Sequence, residues 1–241
     1  MLRTALASCL AVVLAWAAAA WLTHDFRVFT AEGARRIEVR EHPVKAPAVQ
    51  VAGPGVDDVA LPLLLEEHGG ATIVDFVYTR CVSVCAALGS GFQQLQGRIA
   101  AGEAAGAAAG NAARNAPREA PREAPREAPD YAPVRLLSVS FDPAHDDIAA
   151  LARYAGELHA DPDIWRFVTV RDAGALDSLL RAFRVVVIPD GFAGYEHNAA
   201  LLVVDADARL VRAFDYDQLE EALHFARSLP RSAKTARATR Q

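Results

Sequence analysis

The order of apolar segments predicts an α/β fold, with a central mixed sheet and helices on both faces. Three observations carry this. Thr72 to Tyr78 is β-branched and aromatic, with Asp75 its one charge, as in a strand buried on both faces. Three strand–helix units then follow one another. The chain closes on strand, turn, strand and helix, which adds antiparallel pairs to a parallel core.

Residues 1–23 precede the fold. Leu2 to Leu22 is almost wholly apolar, interrupted by Arg3, Thr4 and Ser8. About 20 such residues can cross a bilayer core. Arg3 ahead of the run favours a cytoplasmic N-terminus, with the rest of the chain exported. The predicted location is therefore a bacterial-type inner membrane, single-pass, with the C-terminal domain on the periplasmic side. The rival is a cleaved signal segment, for which Ala17 to Ala20 supply small residues. Cys9 lies inside the run and reads as a small membrane-buried residue.

Residues 24–54 are polar and carry Pro43, Pro47 and Pro54. They predict a spacer with a short strand at Arg36 to Val39. Residues 55–230 predict the domain itself. Leu61 to Gly69 reads as a short strand or turn leading into Thr72–Tyr78. Val84 to about Ala100 follows as a helix, with Leu88, Phe92, Leu95 and Ile99 at helical spacing. Residues 101–133 hold Ala and Gly runs, then Ala-Pro-Arg-Glu three times from Ala116. Proline every fourth residue forbids regular structure, so this stretch predicts a disordered insert. Val134–Phe141 is a strand, Asp146–Leu158 a helix, Trp165–Val170 a strand and Ala173–Phe183 a helix. Ala199–Asp205 and Leu210–Phe214 form a hairpin, and Gln218–Ser228 is the closing helix. Residues 231–241 are a basic tail.

Net charge is −5 and the pI about 5.8, which gives no case for nucleic-acid binding. No Gly-rich phosphate loop, serine elbow or zinc-protease motif occurs. Asp205, Asp207 and Arg209 read as a hairpin turn. The chemistry therefore falls to cysteine. The chain has three, and Cys81 and Cys85 lie four apart where the buried strand gives way to a helix. Residues i and i+4 share a helix face, and a helix N-terminus favours thiolate over thiol. The pair suits a soft metal ion or a reversible dithiol. A structural disulfide is possible in an exported chain, but so small a loop adds little stability.

A strand–helix unit with two cysteines at its turn, closed by a ββα unit, is thioredoxin-like in plan. Thioredoxins keep two residues between the cysteines; here there are three. In that plan His197, just before the penultimate strand, lies beside the cysteine turn. Two thiolates and an imidazole make a soft site suited to Cu(I), and to Cu(II) with added ligands. Asp142 and Glu196 are candidates for a supporting role around it.

The sequence resembles the SCO/SenC family, copper-binding assembly proteins of cytochrome c oxidase. The resemblance runs from about Leu61 to Ser228 outside the insert. It is carried by Val74 to Cys85, Leu136 to Asp146, Leu180 to Val185 with Glu196-His197-Asn198, and Leu201 to Leu210. It implies that Cys81, Cys85 and His197 are copper ligands and that a single N-terminal helix anchors an exported domain. It further implies a metallochaperone rather than an enzyme. Its partners would be the copper-site subunit of a respiratory oxidase, other copper chaperones and thiol reductants. The alternative is a thiol-disulfide oxidoreductase acting on a partner's copper-site cysteines, with Cys81 attacking and Cys85 resolving. Where the family usually has proline after each cysteine, this chain has Val82 and Ala86. Where it usually has Asp before the histidine, this chain has Glu196.

Overall fold

A computed structural model describes residues 2–23, 28–81, 84–115, 133–192 and 194–232. The predicted core is present. Helix α1 (Leu2–Leu22) precedes an eight-stranded mixed sheet. Its central strands are β4 (Ala71–Val77), β5 (Val134–Ser140) and β6 (Trp165–Val170), all parallel. The terminal hairpin, β9 (Ala200–Val204) and β10 (Arg209–Asp215), joins β4 antiparallel through β9. Every residue of β4 is buried, as its β-branched run predicts.

Alternation along β4 divides the core. Ala71 and Ile73 face one side, against helices α4 (Val84–Asn115), α5 (Ile148–Glu157) and α7 (Leu219–Ser228). Leu88, Phe92, Leu95 and Ile99 form the buried stripe of α4, and Phe92 packs on Trp165 with ring centroids 5.4 Å apart. Val74 and Phe76 face the other side, against α3 (Leu61–Glu66) and α6 (Ala173–Phe183).

Four local expectations are corrected. Arg36 to Val39 is no strand: it lies in helix α2 (Ala31–Glu41), capped by Thr30, whose hydroxyl accepts from Gly33 N at 3.0 Å. Glu32 pairs with Arg35 and Arg36 along the helix, and Arg35 and Val39, four apart, are its buried residues. Residues 28–54 are no spacer either. α2 packs on β10, β1 (Val44–Lys45) pairs with β10, and β2 (Gln50–Gly53) pairs with β6 and with β3 (Val56–Ala60). That seam is tight: a Cβ on Gly53 would lie 1.9 Å from the Phe167 carbonyl oxygen. Leu61–Glu66 is helical, with Pro62 in its first turn. Finally, α4 runs on to Asn115 through Ala- and Gly-rich sequence expected to be disordered. The first proline after the start of α4 is Pro117. The repeated Ala-Pro-Arg-Glu segment lies outside the described residues, as do the tail positions from 233 onward.

One pair of elements was not anticipated. β7 (Val187–Pro189) and β8 (Tyr195–His197) form a separate two-stranded ribbon between α6 and β9.

Candidate metal centre

β4 leaves the sheet at Val77 and turns through Tyr78, Thr79 and Arg80 to Cys81, whose amide donates to the Tyr78 carbonyl at 3.2 Å. Cys81 is half-buried and packs against the core. The helix then begins at Val84, which puts the backbone of Cys85 in its first turn. The Cys85 side chain lies outside the described residues, so the predicted coming together of the two sulfurs does too.

His197 ends β8 and is half-buried. Its ring packs on Phe141, centroids 5.2 Å apart. Phe141 packs on Tyr78 at 5.3 Å and on Tyr195 at 5.6 Å, and Tyr78 on Tyr195 at 5.3 Å. The Tyr78 hydroxyl also accepts from Tyr195 N at 3.3 Å. An aromatic cluster thus binds the strand leading into Cys81 to the ribbon carrying His197. Burial lowers the His197 pKa to about 4. The imidazole is neutral at ordinary pH, the form a metal needs. Among the described residues no three His, Cys, Asp or Glu side chains form a group able to hold a metal ion.

The supporting candidates part company. Asp142 is buried and accepts from Arg80 Nη2 at 2.9 Å, with His145 Nδ1 also at 2.9 Å, so it holds the residue next to Cys81. Glu196 sits between two inward-facing residues of β8 and is exposed.

Three residues emerge that sequence reasoning missed. Asp146 is fully buried, accepting from Thr79 N at 3.1 Å, Thr79 Oγ1 at 2.6 Å and Ser140 Oγ at 2.6 Å. It fixes the cysteine turn to the end of β5. Asp146-Asp147 held the signal: a helix start needs one cap, and Asp147 provides it, its side chain accepting from Ala150 N at 2.7 Å. The second missed group is Asp75, six residues before Cys81. Burial raises its pKa to about 7, against an opposing contribution from the Ser138 hydroxyl. The third is His68. It lines a cavity of about 460 Å³ at the other end of the sheet, where burial lowers its pKa. Arg135 and Arg166 of that cavity are paired with Glu103 and Glu67.

The SCO1/SenC family model matches residues 123–229. Over that span the chain is similar to the SCO1/SenC family. The matched span holds Asp142, Asp146 and His197 and begins after the two cysteines. The SCO1 protein homolog of Bacillus subtilis (strain 168) is 21% identical over 154 residues, which are 63% of this chain. The chain spans 64% of that relative's length. Copper-bound ScoI of Bradyrhizobium japonicum is 19% identical with a TM-score of 0.53, over 77% of this chain and 99% of that one. BsSco, described as a Sco-family cytochrome c oxidase assembly protein with a disulfide switch, is 17% identical with a TM-score of 0.56. That match covers 78% of this chain and 94% of the other. At these identities the likeness is one of fold, and it agrees with the expected thioredoxin-like plan.

Proposed function

We propose that this chain is a membrane-anchored copper metallochaperone that binds copper through Cys81, Cys85 and His197 and passes it to the binuclear copper centre of a respiratory oxidase subunit. The observation that carries the reading is the meeting of the Cys81 turn and the His197 ribbon on one aromatic cluster at one end of the sheet. The donor set fits a soft ion: thiolates at a helix start, and an imidazole that burial keeps neutral. The SCO1/SenC match and the copper-bound ScoI neighbour support the metal. Copper is the cargo here, and the residues of the chain hold and release it. Asp146 and Asp142, through Thr79 and Arg80, fasten the turn that leads into Cys81, which lowers the ordering that ligand needs when copper arrives. The half-buried position of Cys81 leaves a side open to ligand exchange. Helix α1 is long and apolar enough to span a membrane, with mean hydropathy 2.1 over Arg3–Leu22. It would hold the domain at the periplasmic face.

The second reading, thiol-disulfide exchange with a partner's copper-site cysteines, is favoured by the four-residue spacing of the cysteines at the start of α4 and by the disulfide switch described for BsSco. His197 separates the two, because thiol exchange needs both cysteines and no imidazole. Chelator competition for Cu(I) on the reduced protein is the test. His197→Ala is expected to weaken binding by at least about tenfold, the loss of roughly 1.4 kcal/mol, and Cys81→Ser/Cys85→Ser to abolish it. Wild-type affinity no better than that of the double serine variant refutes the chaperone reading.

A further inference from the structure

The end of α1 meets the domain at its site-bearing end. At the end of α1 the Thr23 carbonyl accepts from Val28 N at 3.0 Å. Val28 in turn lies on the first turn of α2: a Cβ on Gly33 would sit 2.8 Å from Val28 Cγ1. The first half of α2 is then fastened beside the ribbon. Arg36 pairs with Asp215, the last residue of β10, which lies opposite Ala200 at the start of β9. Because β10 and β4 both run antiparallel to β9, this is the end from which β4 leaves for Cys81. The buried Arg35 donates from Nη1 to the Arg184 carbonyl at 3.2 Å. The same carbonyl accepts from Asn198 Nδ2 at 3.1 Å, and Asn198 directly follows His197. The root of the apolar helix and the base of the His197 ribbon therefore share one hydrogen-bonded joint.

That end also exposes apolar side chains. Val186 is 54% exposed, Ile188 56% and Phe192, at the ribbon tip, 92%; Phe29, just before α2, is 77% exposed. Val187, between the first two, turns inward onto the core. The tip is held in shape by the Asp190 carboxylate, which accepts from Phe192 N at 2.7 Å and Gly194 N at 2.9 Å. Several exposed apolar side chains grouped beside the root of an apolar helix suit an interfacial neighbour.

We propose that the β7–β8 ribbon rests on the bilayer that α1 spans, with Phe192, Ile188 and Val186 in the lipid interface, so that the His197 end of the domain is held at the membrane surface. This rests on reading α1 as an uncleaved anchor. The bilayer is favoured over a soluble partner because the anchor enters the domain at this end. A site so placed reaches acceptors whose own metal ligands lie near the bilayer surface.

The test uses the full chain in phosphatidylcholine vesicles with and without brominated acyl chains. Trp16→Phe and Trp21→Phe leave buried Trp165 as the background emitter. Adding Phe192→Trp is expected to introduce emission that brominated lipid quenches roughly twofold, as for interfacial tryptophan. Asp207→Trp, exposed in the β9–β10 turn at the opposite end of the sheet, is expected to stay unquenched. Position 192 unquenched in a chain that floats with the vesicles overturns the inference and leaves the anchor standing. A chain that does not float overturns both, and neither result bears on copper affinity. Shielding of position 192 that follows protein concentration rather than lipid makes a second copy the occupant and refutes the bilayer.

Discussion

Asp75 is a carboxyl in the middle of a wholly buried strand, and it should make the fold lose stability as pH rises. Neither of its oxygens has a hydrogen-bond partner of normal geometry. Burial raises its pKa from 3.8 to about 7. Below pH 3.8 both folded and unfolded chains hold this proton, and the full stability is present. Between that value and about 7 the unfolded chain gives the proton up while the folded chain keeps it. Stability therefore falls across this window and levels off above it. At 1.36 kcal/mol for each tenfold change in proton affinity, the loss is about 4 kcal/mol, a large share of a domain's usual stability. Asp75→Asn removes the titration at nearly constant volume. Urea unfolding of the chain lacking Leu2–Leu22, at pH 4, 5.5 and 7.5, reads the effect as the difference between wild type and variant. That difference cancels His68 and His197, whose lowered pKa values act in the opposite sense, costing stability as pH falls. The variant should gain on wild type steadily from pH 4 to pH 7.5, by roughly 3–4 kcal/mol in all. Parallel pH profiles would refute the reasoning.

Asp146→Ala removes the acceptor of three hydrogen bonds at the cysteine turn. It should cost about 2–4 kcal/mol in thermal unfolding, and Asp146→Asn less. Gly53→Ala drives a Cβ into the Phe167 carbonyl. It should separate β2 from β6, seen as lost hydrogen-exchange protection at Val51 and Ala52, with the amides of β4 unaffected. Arg80→Ala should change stability by under about 1 kcal/mol, because the Arg80 side chain is 43% exposed.

What sequence revealed and what it hid have physical causes. The run of β4 and the stripe Leu88–Phe92–Leu95–Ile99 are legible because each buries a continuous face, so a single period fills many positions. In α2, Ile37 and Val39 mimic strand alternation. The features that decide for helix there are the Thr30 cap and the Glu32–Arg35 pair, which the residues from Arg36 to Val39 do not contain. Leu61–Glu66 is apolar and short, a length at which strand and helix look alike. The ribbon strands have three residues each, too few for any period. Within the site, Cys81, Cys85 and His197 stand out because their chemistry is scarce along the chain. Asp146 does not, since its partners Thr79 and Ser140 reach it only once β4 and β5 lie side by side in parallel register.

The central claim is that Cys81, Cys85 and His197 together hold copper. Copper-edge X-ray absorption of the reduced, Cu(I)-loaded full chain tests it most directly. Two sulfur ligands and one imidazole nitrogen are predicted, with the nitrogen scattering lost in His197→Ala and both sulfurs lost in Cys81→Ser/Cys85→Ser. A first shell of sulfur alone, unchanged in His197→Ala, would contradict the account.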